Sequence, residues 1–187
     1  MPYKVIYDAC VLYPASLRDF LLRIARTGIV RAFWSEQILA ECFRAILRSR
    51  PDLSREDLAR TERIIRDEFP HSLVFGYEDL VAGLALPDSD DRHVLAAAIR
   101  SGAQGIVTFN LKDFPVSTLE KFGIEPRHPD DFVLDQIELA PGLVVGALRK
   151  QVDSLRRPPK TTGQVLDSLR DCGLVQSVAR LRCLLLL

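Results

Sequence analysis

One stretch restricts what this chain can fold into more than any other. Residues 84 to 115 read Leu-Ala-Leu-Pro-Asp-Ser-Asp-Asp-Arg-His, then Val-Leu-Ala-Ala-Ala-Ile-Arg, then Ser-Gly-Ala-Gln-Gly-Ile-Val-Thr-Phe-Asn-Leu-Lys-Asp-Phe-Pro. The middle part predicts an apolar, Ala-rich helix closed by Gly102. Gly105-Ile106-Val107-Thr108-Phe109 follows as a short strand, with Asn110 and Asp113 beyond its far end. Three acids, Asp88, Asp90 and Asp91, crowd together where the helix begins. One acid suffices as an N-cap. The surplus is the first sign of a metal site.

The same alternation runs along the rest of the chain. Tyr3 to Tyr7 is a continuous apolar run of the buried, parallel kind and ends in Asp8. After a turn at residues 9 to 14, a helix capped by Ser16 runs to about Arg26. Ile29 to Trp34 forms a second strand, and Ser35 caps a helix that buries Ile38, Leu39, Cys42, Phe43 and Ile46. Ser54 and Asp57 form a capping box for a helix to about Phe69. Ser72 to Phe75 and Phe122 to Ile124 complete the strands. Strands alternating with helices imply an α/β domain with a mainly parallel central sheet flanked by helices. From Asp130 or Asp131 the pattern becomes wholly helical, to about Leu139, then Pro141 to about Leu155, then one last helix from Thr162. The expected division is residues 1–126 as the α/β domain and 127–187 as a helical C-terminal extension.

Composition narrows the class. Of 187 residues, 48% are hydrophobic, enough for a packed core. No run of 18 apolar residues exists to span a membrane. The N-terminus enters its first strand directly, without the pattern of a signal peptide, so a cytoplasmic location is expected. Cys10, Cys42, Cys172 and Cys183 lack CxxC spacing, which speaks for buried reduced thiols over a zinc site or a disulfide framework. The 25 basic and 25 acidic residues cancel, so no overall basic field marks a nucleic-acid binder. Neutrality of this kind still permits an acidic pocket inside a basic rim.

In a parallel α/β sheet, ligands gather beyond the carboxyl ends of the strands. Asp8 ends the first strand, Glu41 lies early in the helix after the second, Asp91 opens the Ala-rich helix, and Asn110 and Asp113 follow the strand containing Val107. All five can face one mouth. Several carboxylates brought together cannot all stay ionised without a counter-charge. A hard divalent cation supplies it, binding through oxygen ligands and retaining water. Read one at a time, each residue has a bland role: Asp8 in a turn, Glu41 paired with Arg44 or Arg48, Asp91 as a cap.

The set Ile6-Tyr7-Asp8, Ala40-Glu41, Asp88-Ser89-Asp90-Asp91-Arg92-His93-Val94-Leu95-Ala96-Ala97-Ala98 and Thr108-Phe109-Asn110-Leu111-Lys112-Asp113-Phe114 resembles the PIN domain nucleases. Within them it is similar to the VapC-type toxins of toxin–antitoxin modules, over roughly residues 1 to 125. The helical tail looks like that of a longer subgroup. The resemblance implies a PIN-like three-layer fold and Mg²⁺-dependent hydrolysis of RNA, with Mn²⁺ as a substitute. It implies an acidic core of Asp8, Glu41 and Asp91. Asn110 and Asp113 compete for the fourth place: Asn110 as a neutral oxygen donor to the metal, Asp113 as the charge that restores the set. Asp88 and Asp90 compete with Asp91, which is preferred because Val94, Leu95 and Ala98 then bury beneath it.

Arg44 and Arg48 share the helical face of Glu41 and are candidate RNA contacts. Thr108 is read either as a hydrogen-bond partner of an acid or of the scissile phosphate, or as a strand-end hydroxyl that packs locally. His93 is close enough to serve as a base, though a metal-activated water does not need it. The resemblance also implies a homodimer and an antitoxin whose Arg or Lys enters the acidic groove. Two rivals fail on residues: a haloacid-dehalogenase-like phosphatase needs an Asp where Cys10 stands, and a receiver domain needs an early acidic pair. A PIN-like scaffold that binds RNA or a partner without cutting is the non-enzymatic alternative.

Overall fold

In a computed structural model describing residues 2–186, five short segments pair into a single sheet, and all of its pairings are parallel. The chain forms β1 (Tyr3–Tyr7), α1 (Ala9–Leu12), α2 (Ala15–Arg26), β2 (Val30–Ser35), α3 (Glu36–Ser49), α4 (Arg55–Glu68), β3 (Leu73–Val74), α5 (Glu78–Val81), α6 (Arg92–Ser101), β4 (Gly105–Val107), α7 (Val116–Leu119) and β5 (Glu125–Arg127). Four more helices follow: α8 (Pro129–Leu139), α9 (Pro141–Ser154), α10 (Thr162–Asp171) and α11 (Val175–Leu185). The order β3-β2-β1-β4-β5 puts β1 at the centre. The chain reverses direction across the sheet after β3, and this reversal places the ends of β1 and β4 side by side. Val5, Ile6 and Tyr7 stand opposite Gly105, Ile106 and Val107. The next amide, that of Asp8, donates to Val107 O at 3.2 Å.

Helices cover the sheet where β4, most of β2 and the second half of β1 are buried, while β5, Glu-Pro-Arg, stays partly exposed at the edge. α6 packs along β1, β2 and β4, and its residues His93 to Ala98 are buried. Alanine at 96, 97 and 98 gives this helix a side narrow enough to lie close to the strands. Gly102 ends it with φ of +64°, a conformation that costs glycine little. On the face of β1 carrying Tyr3 and Tyr7, α8 brings Phe132 to within 6.5 Å and 6.0 Å of the two rings. The Tyr7 hydroxyl donates to Leu21 O of α2 at 3.3 Å. α9 then packs on α2 and α8, and α11 packs on α8 and α10. The extension therefore adds to the layer over the sheet, and its side chains from Phe132 to Leu181 join the same buried cluster. Among the described residues no helix is long and apolar enough to cross a membrane.

Several local expectations shift. The final helix is two helices, broken at Gly173, whose φ of +98° excludes helical continuation. The last strand falls at 125–127, because residues 120–122 form a 3-10 turn closed by Gly123. α2 begins at Ala15, with no side-chain cap, so Ser16 does not cap it. α8 begins at Pro129, and its cap is His128, whose Nδ1 accepts the Asp130 amide at 3.2 Å.

Asp130 has a larger task. It is 4% exposed, and its carboxylate accepts the amides of Gln176 and Ser177, each at 2.8 Å. These amides belong to the first turn of α11, where Leu174 stands at the cap position and offers no acceptor. Asp130 thus caps α11 from another helix, and the Ser177 hydroxyl returns a bond to Asp130 O at 2.9 Å. Replacing Asp130 by Ala strands two inward-facing amides and should cost about 2 kcal/mol in urea unfolding. Asp131→Ala, on the exposed side of the same turn, should lie within about 0.5 kcal/mol of wild type.

Candidate active site

The site is built where β1 and β4 end. Asp8 is the last residue of the β1 run and the N-cap of α1. It is 5% exposed, and its orientation is set by three donors. The Ala9 amide reaches Oδ1 at 2.7 Å, the Thr108 hydroxyl reaches Oδ2 at 2.7 Å, and the Cys10 thiol reaches Oδ2 at 3.2 Å. Thr108, the residue after β4, is completely buried and also accepts the Asn110 amide at 3.0 Å. Of its anticipated roles the structure shows the bond to an acid, and its hydroxyl lies beneath Asp8, shielded from the surface. Cys10 accepts the Phe109 amide at 3.3 Å. Burial and the Asp8 charge push its thiol up to about 12, so it is a neutral donor here and not a nucleophile.

Glu41 reaches the same mouth from α3. Ser35 caps that helix by accepting the Ile38 amide at 3.1 Å. The residues buried on it leave Glu41, Arg44 and Arg48 on the edge toward the mouth. His93 Nε2 lies 3.0 Å from Glu41 Oε1, and the ring is buried at 3% exposure. The contact is close but poorly aligned, and neither ring nitrogen has a well-directed partner. Burial raises the Glu41 carboxyl, but His93, then Gln37 and Arg44, outweigh it and hold the pKa below the usual range. The contact replaces the expected pairing of Glu41 with Arg44 or Arg48, since no salt bridge forms to either. A histidine inside the run Val94 to Ala98 was a legible sign of burial; its partner, half the domain away in sequence, was not.

Asp91 stands before α6 without a cap bond of its own, and Asp88 caps the preceding 3-10 turn through the Asp90 amide at 2.9 Å. The bland role for Asp91 therefore falls to Asp88. Burial and the charges of Asp8, Asp88 and Asp113 raise the Asp91 carboxyl to about 6, against a smaller opposing effect of His93. Asp8, Glu41, Asp91 and Asn110 line one cleft of about 460 Å³, together with Ala9, Cys10, Tyr13, Cys42, Ala45 and Arg48. Asp113 is absent from that wall, but its charge is felt at Asp91. Among the described residues no three His, Cys, Asp or Glu side chains converge closely enough to hold an ion as they stand. The donor chemistry nonetheless suits a hard cation: carboxylate and amide oxygens share the cleft, and a cation there would offset the mutual repulsion of its acids.

The fold and this edge define an α/β protein whose acidic site lies beyond the carboxyl ends of a parallel sheet. Residues 4–112 match the family model described as PIN domain, and residues 129–183 match one described as VapC50 C-terminal domain. The chain belongs to the PIN domain family. It is 44% identical over 98 residues to "Putative ribonuclease VapC50" of Mycobacterium tuberculosis. The alignment covers 52% of this chain and 57% of that relative, so it spans little more than half of either. No solved structure matches the chain significantly.

The raised Asp91 carboxyl has a consequence for stability. A folded pKa above the unfolded value means the folded state binds the proton more tightly, so ionised Asp91 opposes folding above about pH 6. That penalty disappears as pH falls toward 4. In metal-free buffer, Asp91→Asn should therefore stabilise the protein at pH 8 by about 1 kcal/mol, allowing for solvent screening of this half-buried group. The gain should vanish by about pH 4. Melting curves of both proteins at the two pH values measure it.

Proposed function

We propose that this chain is an endoribonuclease, the toxin of a type II toxin–antitoxin module, and that it hydrolyses RNA phosphodiester bonds with Mg²⁺. The observation that carries the reading is the single cleft lined by Asp8, Glu41, Asp91 and Asn110, where burial and neighbouring carboxylates already raise Asp91 to about 6. Family membership and the ribonuclease name of the 44% identical relative support it.

Asp8, Glu41, Asp91 and Asn110 would hold the cation. Once bound, Mg²⁺ supplies the positive charge that polarises a phosphate and makes water a better nucleophile. The chain's own contribution is to hold those oxygens in place. Thr108, Cys10 and the Ala9 amide fix Asp8 and leave its free edge toward the cleft. His93 keeps Glu41 ionised from behind. Asn110 adds an oxygen without adding charge, and Asp113 adds charge from outside the cleft wall. Arg44 and Arg48 would meet the RNA phosphates beside the acids, and Thr108 acts on RNA only through Asp8.

In this reading residues 1–126 are the nuclease, residues 127–187 brace it, and the protein acts in the cytoplasm as a homodimer restrained by an antitoxin. Exposed Leu139 and Leu143, at 70% and 48%, give the extension apolar surface for such contacts. Light scattering across micromolar concentrations should give twice the chain mass; a monomer throughout removes the dimer.

Asp8→Asn and Asp91→Asn should each lower Mg²⁺-dependent cleavage of a labelled single-stranded RNA by about 100-fold or more. Millimolar Mn²⁺ should raise the melting temperature of the wild type by mass action and do so less for either variant. Asn110→Ala should weaken that Mn²⁺ effect more than Asp113→Ala. Cleavage by Asp8→Asn at the wild-type rate would overturn the assignment. Absence of both cleavage and a Mn²⁺ shift would return the protein to the non-catalytic scaffold.

A further inference from the structure

A second cavity, of about 570 Å³, opens beside the acidic cleft, and Glu41, Arg48 and Asp91 line both. The two spaces form one trough. Its outer half is lined by Arg44, Leu47, Arg48 and Arg55, with Asp90 at the acidic end. Arg44 and Arg48 stand on α3 and Arg55 opens α4. At 1.5 Å per residue, Arg44 lies about 4.5 Å and Arg48 about 10 Å beyond Glu41 along the helix axis. The trough therefore grades from carboxylates to guanidinium groups over roughly 10 Å along that axis.

These cations are not gripped by acids, although Arg44 Nε donates to Ala40 O of its own helix at 3.2 Å. Among the described residues, no carboxylate lies within salt-bridge distance of Arg44, Arg48 or Arg55, whereas Arg23, Arg26, Arg50, Arg66, Arg100 and Arg127 all have acidic partners. Arg55 also sits at the first position of α4, where the helix dipole disfavours a cation. An unpaired guanidinium there carries a local cost with no internal partner to offset it. The two helices are tied by Arg66 of α4, which pairs with Glu36 at the far end of α3. The cationic wall is thus preformed on two braced helices.

We propose that Arg44, Arg48 and Arg55 form a phosphate track for a single-stranded RNA leaving the acidic cleft on one side, with Leu47 as the apolar floor between them. This rests on the ribonuclease reading and deepens it: the enzyme grips the backbone on one flank of the cut. Guanidinium groups suit phosphate oxygens through paired N–H donors. A track of three predicts a footprint of two or three phosphates and no base selectivity from these residues.

The test uses the full chain carrying Asp91→Asn, a fluorescein-labelled oligouridine 12-mer and metal-free buffer, with binding followed by anisotropy over a salt series. Arg55→Ala should flatten the slope of log K against log salt by about 0.7, and the triple Arg44→Ala/Arg48→Ala/Arg55→Ala by about 2. Arg63→Ala, on the exposed side of α4 away from the trough, should leave it unchanged. In Mg²⁺-dependent cleavage by the wild type, shortening the RNA should slow the reaction when done from one end of the cut only. Equal slopes for Arg55→Ala and Arg63→Ala overturn the track while leaving the nuclease intact. Loss of oligoglutamate binding in Arg55→Ala at an unchanged RNA slope assigns the wall to an acidic protein segment and also overturns it. A parent protein that binds no RNA at any salt removes the ribonuclease reading itself, and the track with it.

Discussion

Carboxylates repel one another, and this chain gathers several of them at the edge of a buried sheet, where solvent cannot screen them fully. The fold has to supply what the acids cannot supply for themselves. Asp8 is held by an amide, a hydroxyl and a thiol from three different residues, one of them 100 positions away in sequence. Glu41 leans on a buried imidazole. Asp91 receives no comparable support, and its burial, together with the neighbouring carboxylates, is felt as a raised pKa. The three acids are thus unequal before any ligand arrives: Asp8 is fastened by three donors, Glu41 has a close imidazole beside it, and Asp91 has neither.

That division follows from topology. β1 lies at the centre of the sheet, and the reversal of strand order puts the end of β4 directly beside it. Thr108 can reach Asp8 only because the register sets Tyr7 opposite Val107. A slip of one residue would turn Thr108 away from the acid and bring an apolar neighbour in its place. The Ala-rich side of α6, which brings His93 and Asp91 to the sheet, has the same strictness: larger residues at 96 to 98 would lift both groups from the mouth.

Much of this was legible in the amino-acid order. The apolar runs ending in acids, the caps at Ser35 and Ser54 and the helix closed by Gly102 all report local chemistry, and local chemistry is what a sequence displays directly. The acids fell at strand ends and helix starts, so a shared mouth followed from the general behaviour of parallel sheets. What stayed hidden depends on pairing across the chain. Nothing near His93 announces Glu41, and nothing near Asp130 announces the amides of residues 176 and 177. Thr108 was open between several roles because the choice turns on burial, which the β5 and α8 neighbours decide. The break in the final helix is masked because apolar residues continue at Leu174, Val178 and Leu181, and only the five-residue step from Leu169 to Leu174 across Gly173 departs from the three-or-four spacing of one continuous helix.

Gly173 touches more than its own helices. A side-chain carbon placed there would stand 3.1 Å from the Phe109 ring, and Phe109 lies between Thr108, which holds Asp8, and Asn110, which lines the cleft. The same ring meets the His128 imidazole at 5.3 Å, edge to face. The ring thus lies between the loop that carries Thr108 and Asn110 and the turn that joins α10 to α11. A side chain at residue 173 would press on that ring. A substitution at residue 173, far along the chain from the acids, is therefore felt at the loop between Thr108 and Asn110.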